Sequence, residues 1–141
     1  MTAQLDHYFD NCLYFSLSKM HRQINALAEH SFKKLGIAPS YAFLIMYLAE
    51  NDKVSSSQVA AFMGNSASTI TRFADKLIDK GLCTRTIEGR MSYLQITKKG
   101  RDMLPQIEEC WCDLFNSYNE IYGKDEAKTV NDMIANLNKV I

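Results

Sequence analysis

The stretch from Ser55 to Gly100 constrains the fold more than any other part of the chain, because four short elements follow one another there with almost no linker. Ser55-Ser56-Ser57-Gln58 opens a helix. Ser55 can cap the free backbone N–H groups, and Gln58, three residues on, can reach back to complete a capping box. Val59, Phe62 and Met63 give that helix an apolar face. Gly64-Asn65 ends it, since these residue types best tolerate the left-handed backbone of a helix exit, and Ser66 is placed to cap the next helix.

The second helix, Ser66 to Lys80, carries Ile70, Phe73, Ala74, Leu77 and Ile78, the spacing of a helix with one buried side. At about 100° per residue, Ser68, Arg72, Asp75 and Asp79 fall on the opposite side, flanked by Thr71 and Lys76. Its start is small and hydroxylated, so a base-pair edge can approach closely. Arg72 offers a planar fork of donors suited to guanine O6 and N7. Gly81 closes the helix, Leu82 to Thr86 reads as a strand, Glu88-Gly89 as a hairpin turn, and Met91 to Thr97 as the returning strand. Leu94 and Ile96 share one face of that strand. A lone two-stranded ribbon is unstable and must lie against the preceding helices. Arg85 and Arg90 are expected at its tip, near phosphates or a minor groove. Two helices, a tight turn and a ribbon in this order predict a winged helix-turn-helix.

The charge distribution points the same way. The chain has 16 basic and 16 acidic side chains and no net charge. Residues 1–63 balance, residues 64–101 hold eight basic against three acidic residues, and residues 102–141 hold the reverse. A basic segment beside an acidic remainder suits a protein that docks on a phosphate backbone with one end.

The chain resembles a MarR-family transcriptional regulator along essentially its whole length. The resemblance is carried by Ser68-Thr69-Ile70-Thr71-Arg72, Asp75-Lys76-Leu77, Lys80-Gly81-Leu82, Glu88-Gly89-Arg90, and Leu94-Gln95-Ile96-Thr97-Lys98-Lys99-Gly100. The wing is several residues shorter than is usual in that family, with Glu-Gly-Arg where members often show an Asp-Arg-Arg run. The resemblance implies a helical homodimer with two winged helix-turn-helix lobes, acting on double-stranded DNA and more often repressing than activating. It also implies that a small phenolic or lipophilic effector can bind.

Outside the lobe, Leu13, Leu17, Met20, Ile24 and Leu27 step by four and three, predicting one long helix from about Leu5 to Leu35, ended by Gly36. Pro39 suits a first helical turn, and Tyr41 to Glu50 predicts a buried helix. Leu104, Ile107, Trp111, Leu114, Tyr118 and Ile121 predict a second long helix capped by Thr97 and kinked at Pro105. After Gly123, Ala127, Val130, Ile134, Leu137 and Ile141 carry a last helix. Such seams call for a partner, and a homodimer with interlocked terminal helices is the expectation; a monomeric bundle satisfies the same periodicity. The expected fold is mainly α with a small β-hairpin wing: one chain over residues 1–141, a DNA-binding lobe over 38–100, and dimerisation helices over 1–35 and 101–141.

The expected DNA contacts are Ser68, Thr69, Thr71 and Arg72 toward bases, with Ser55, Ser56, Ser57, Ser66, Lys76, Arg85 and Arg90 closer to the backbone. Tyr14, His21, Tyr41, Tyr47 and Trp111 are candidate effector contacts between the dimer helices and the reading lobe; aromatic helix residues more often form simple core. Four cysteines without disulfide-type spacing read as free thiols. Cys12 is read as a buried small hydrophobe, with a redox sensor as the alternative, because no basic residue nearby in sequence would lower its pKa. Cys83 reads as packing. His7, His21 and His30 are too widely spaced for a local metal site, and no cofactor is expected. No Cys–His–Asp arrangement or phosphate-binding glycine loop supports an enzyme. No signal peptide and no apolar run of about 18 residues is present, so a cytoplasmic protein is expected. A protein-interaction module is the remaining rival.

Overall fold

A computed structural model describes residues 3–141. The elements run α1 (Ala3–Asp10), α2 (Leu13–Phe32), a 3-10 turn (Lys33–Leu35), α3 (Pro39–Glu50), β1 (Val54–Ser55), α4 (Ser56–Met63), α5 (Ala67–Asp79), β2 (Cys83–Glu88), β3 (Met91–Ile96), α6 (Lys98–Asp102), α7 (Leu104–Tyr122) and α8 (Lys124–Asn138). The chain is mostly helical with a small antiparallel sheet. It divides into two compact units, Phe32–Cys110 and Met1–Ser31 with Trp111–Ile141.

In the first unit, helix propensity and punctuation act where expected. Pro39 occupies the first turn of α3, where its missing N–H costs nothing. Leu44, Ile45 and Leu48 of α3, Val59 of α4, Ile70, Ala74 and Leu77 of α5, and Leu94 of β3 are buried together with Leu82 and Cys83. Phe62 departs from its expected place. It is 69% exposed, so the core-facing side of α4 rests on Val59, and Phe62 stacks on Tyr47 instead.

The sheet has three strands in the order β1-β3-β2, not the two of an isolated ribbon. Val54 pairs with Leu94 and Ser55 with Tyr93, while β2 pairs with β3 from Cys83↔Ile96 to Glu88↔Met91. Two residues are too few to display an alternating pattern, so β1 is invisible until β3 is folded beside it. The ribbon thereby acquires the third strand it needs for stability.

The segment leaving β3 locks the sheet to the end of α5. Thr97 accepts a bond from the Gly100 backbone N–H and donates one to the Gly81 carbonyl at 2.7 Å. Lys99 reaches the Lys80 carbonyl at 2.8 Å, a cation on the negative end of α5. Gly100 is buried, and a side chain there would collide with the carbonyl of Leu82 and with Ile96. The Thr97-Lys98-Lys99-Gly100 run is therefore a clasp.

In the second unit, the expected single helix from Leu5 to Leu35 is interrupted. Asn11 bends the backbone between α1 and α2: its side-chain amide and its backbone N–H both donate to the His7 carbonyl, at 2.8 and 3.2 Å. An asparagine that serves its neighbour's carbonyl competes with helix continuation. The seam of α2 and α8 is poorly covered within one chain, Leu13 being 68% and Leu137 58% exposed. Tyr122 of α7 donates to Gln23 of α2 at 3.1 Å.

The second long helix also differs from expectation. Thr97 caps the short α6, and the chain restarts as α7 at Leu104, with Pro105 in its first turn. Without an N–H, Pro105 cannot continue the ladder of α6, so the expected kink becomes a break at Met103. Gly123, at φ +95°, separates α7 from α8. Among the described residues no helix is long and apolar enough to cross a membrane.

Candidate nucleic-acid interface

The local signals at the helix-turn-helix are realised atom by atom. Ser55 accepts from the Gln58 backbone N–H at 3.1 Å, and Gln58 Oε1 accepts from the Ser55 backbone N–H at 2.9 Å, completing the capping box. Gly64 takes the left-handed conformation at φ +68°, and Ser66 accepts from the Thr69 N–H at 3.2 Å to start α5. The Ser66 hydroxyl also lies 3.1 Å from Ser68 Oγ and 2.9 Å from Thr69 Oγ1. This caps the free end of α5 and gathers three hydroxyls at its start.

Burial divides the expected contacts. Ile70, Ala74 and Leu77 face the core, while Ser68, Thr71, Arg72 and Lys76 are exposed and Thr69 is half-buried. Thr71 donates to the Ala67 carbonyl at 3.0 Å, which holds its hydroxyl against the helix. Arg72 and Lys76 make no ion pair or hydrogen bond among the described residues, so both charges are available to a ligand. Ser56 is half-buried and Ser57 exposed at the start of α4.

Two of the expected contacts need correction. Ser55 is 4% exposed and its hydroxyl is occupied by the capping box, so it supports α4 and cannot meet a phosphate. Arg85 is not at the wing tip. It lies within β2 opposite Leu94, with an Asp75 ion pair at 2.8 Å and a 3.5 Å approach to the Thr71 carbonyl. Its guanidinium is a tie between β2 and α5. Arg85 is 26% exposed and Asp75 55%, so solvent screens the pair in part and its contribution is modest. It also explains why an acidic residue sits on an otherwise DNA-suited helix. Arg90 does occupy the turn between β2 and β3, exposed and without an ion pair or hydrogen bond among the described residues.

Sequence reasoning missed the brace that reaches the tip of the wing. Lys53, just before β1, forms an ion pair with Glu88 and places its ammonium 4.8 Å from the Tyr93 ring centre. No local pattern announces it, since 35 residues separate the partners. The basic side chains near the clasp divide similarly. Lys99 caps α5 and Lys98 pairs with Asp102, whereas Arg101 is exposed.

The five candidate effector residues have separate surroundings. Tyr41 meets Phe73 edge-on at 4.8 Å, and Tyr47 stacks on Phe62 at 4.3 Å, both in the unit of residues 32–110. Trp111 stacks on Phe115 at 5.5 Å, and Tyr14 is 82% exposed. Only His21 lines the cavity of about 360 Å³ within the helical unit, with Leu17, Ile24, Tyr118 and Ile134 among its walls. Tyr118 belonged to the apolar seam in sequence, and burial raises its phenol above the usual value.

The cysteines also sort by environment. Cys12, expected to be buried, is exposed in the break between α1 and α2 that Asn11 creates. Cys83 is buried as expected, and burial pushes its thiol up to about 11 despite the opposing pull of Arg85. Cys110 is buried and Cys112 exposed. Among the described residues no group of three histidine, cysteine or carboxylate side chains could hold a metal ion.

The MarR family model matches residues 37–88, from the start of α3 through β2. No curated protein matches the chain by sequence. Among solved structures, a transcriptional repressor, CouR, bound to p-coumaroyl-CoA aligns with a TM-score of 0.84 at 19% identity, over 95% of this chain and 96% of that one. CouR bound to a 23-mer DNA duplex aligns with a TM-score of 0.83 at 20% identity, over 93% and 95%. A probable transcriptional regulator from Pseudomonas aeruginosa aligns at 0.81 and 20% identity, over 91% and 98%. At such identities the likeness is one of fold, and it extends well beyond the matched segment. Residues 37–88 match the MarR family model, and the chain as a whole has the fold of the solved structures it resembles.

Proposed function

We propose that this chain is a sequence-specific double-stranded DNA-binding transcriptional regulator, a repressor, that works as a homodimer in the cytoplasm. Residues 38–100 form the DNA-reading lobe, and residues 1–35 and 101–141 supply the dimerisation helices. The observation that carries this reading is the outer face of α5. It starts with three hydroxyl side chains, bears an unpaired Arg72, and belongs to a helix whose other side is buried and whose end is clasped. A rigidly backed helix with free donors is what major-groove reading requires.

Two further observations support the proposal. A protein with this fold, CouR, binds a 23-mer DNA duplex, and the seams of α2 and α8 leave large apolar side chains exposed in a single chain. A two-fold dimer reads a pseudo-palindromic site with half-sites about one helical turn, roughly 10 base pairs, apart. Ser68, Thr69, Thr71 and Arg72 read bases. Ser56, Ser57, Ser66, Lys76 and Arg90 lie against the phosphate backbone, and Arg85 acts through Asp75 by holding α5 to the sheet. A small aromatic or lipophilic effector controls binding, as the p-coumaroyl-CoA complex of CouR and the apolar cavity around His21 suggest.

Selection of bound sequences from a random duplex pool tests DNA binding, symmetry and spacing together. On the selected site, Arg72→Ala should cost about 1–3 kcal/mol and relax sequence preference, whereas Lys76→Ala should weaken all duplexes alike and flatten the salt dependence. Equal losses on selected and random duplexes for both variants would refute that assignment. A second reading, redox control, rests on the exposure of Cys12. It requires that mild peroxide abolish DNA binding in the natural protein and not in Cys12→Ser.

A further inference from the structure

We propose that the groove between α3 and α4 binds a flat, lipophilic aromatic cation, with the exposed Phe62 ring as its platform and the Glu50 carboxylate as its counter-charge. The site is separate from the face of α5 assigned to DNA and from the cavity around His21. The groove encloses about 680 Å³ and is walled by Phe43, Met46, Tyr47, Phe62 and Met63. The groove is open to solvent, and Ser40, Glu50, Asn51 and Asn65 add polar groups to its apolar walls.

Three features select the charge of the occupant. Phe62 and Tyr47 are stacked at 4.3 Å with their planes 25° apart, and Phe62 remains 69% exposed, so the side of its ring away from Tyr47 is offered to a ligand. Aromatic faces carry a negative quadrupole and attract cations. Glu50, the last residue of α3, lines the groove and makes no ion pair or hydrogen bond among the described residues. It sits where the unsatisfied carbonyls of a helix C-terminus already concentrate partial negative charge. The nearest basic side chain in sequence, Lys53, does not neutralise it, because Lys53 is engaged with Glu88 and the Tyr93 ring. At this end of the groove an anionic ligand would meet the Glu50 carboxylate, the C-terminus of α3 and the exposed side of the Phe62 ring.

Met63 and Asn65, on either side of Gly64, also line the groove, so the occupant touches the turn that joins α4 to α5. Methionine adapts its shape readily, which suits a site for a class of flat molecules more than for one.

The test uses the full chain without DNA at mildly alkaline pH and three probes of one shape: cationic N-methylacridinium, uncharged acridine and anionic anthracene-9-carboxylate, titrated by fluorescence. N-methylacridinium should bind about fivefold or more tightly than acridine, and the carboxylate more weakly than either. Glu50→Gln should remove most of the preference for the cation and leave acridine affinity in place. Phe62→Ala should weaken both acridines about fivefold, with Phe62→Leu intermediate. Both side chains are exposed, so thermal unfolding of the variants should match that of the natural protein. Equal affinity for the cation and acridine, no binding of N-methylacridinium, or affinities for both acridines unchanged in Phe62→Ala would each overturn the proposal.

Discussion

The two units handle their apolar side chains in opposite ways. In residues 32–110, Leu44, Ile45, Leu48, Ile70, Leu77 and Leu94 are fully buried by the same unit's helices and sheet. In the helical unit, Leu13, Ile121 and Leu137 stand largely uncovered. Periodicity alone does not separate the two cases. A helix seam records that something must cover it, and only the folded chain tells whether that cover is its own. The unit of residues 32–110 closes on itself because α3, α4, α5 and the sheet meet from several directions, whereas α2, α7 and α8 present long, narrow stripes of the kind the proposed dimer would complete.

The sharpest way to test this contrast is to damage each unit's apolar residues in turn. Ile70→Ala should cost about 2–5 kcal/mol of folding stability, measured by chemical denaturation, because a fully buried side chain leaves a cavity the lobe cannot close. A loss below about 0.5 kcal/mol would mean that the lobe is not the self-sufficient unit described. Leu137→Glu should leave the folding of a single chain nearly unchanged but weaken the proposed dimer by about 1–3 kcal/mol, since a charge is placed where apolar cover is needed. Sedimentation at a series of concentrations reads that shift, and an unchanged dimer would remove α8 from the interface.

A smaller effect tests the local half of the contrast. Ser55→Ala should cost about 1 kcal/mol through loss of the α4 cap, without altering the salt dependence of DNA binding, because the hydroxyl is buried and not a phosphate contact. The smallest effect concerns Cys83. Its thiol is raised from 9.0 to about 11 by burial, so the folded state holds that proton more tightly than the unfolded chain does. The associated stability is therefore complete below about pH 9 and declines as pH rises toward about 11. Denaturation midpoints across that window should fall less steeply in Cys83→Ala than in the natural protein.

What could be read in advance, and what could not, follows the range of the interactions involved. The Ser55–Gln58 box, the Gly64 exit, the Ser66 cap and the stripe of α5 each depend on groups within four residues of one another, so spacing is sufficient to place them. The candidate base-reading face was legible for the same reason, once the buried stripe was known. Arg85 was assigned to the wrong place because its partner Asp75 lies on another element, and nothing near Arg85 in sequence distinguishes a tie from a free arginine. The break at Asn11 was missed because a hydrophobic seam does not register one side chain bonding to the carbonyl of His7.

By itself the sequence determined α4 and α5, their caps, the wing and the concentration of positive charge in residues 64–101, since these arise from backbone conformation, side-chain period and composition along a continuous stretch. Only the tertiary structure decided that β1 joins β3, that Lys53 braces Glu88, that Gly100 must lie against Leu82, and that Phe62 and Glu50 share a groove. Those are contacts between chain segments brought together by burial of a common core, and no local pattern encodes which distant backbone will arrive there.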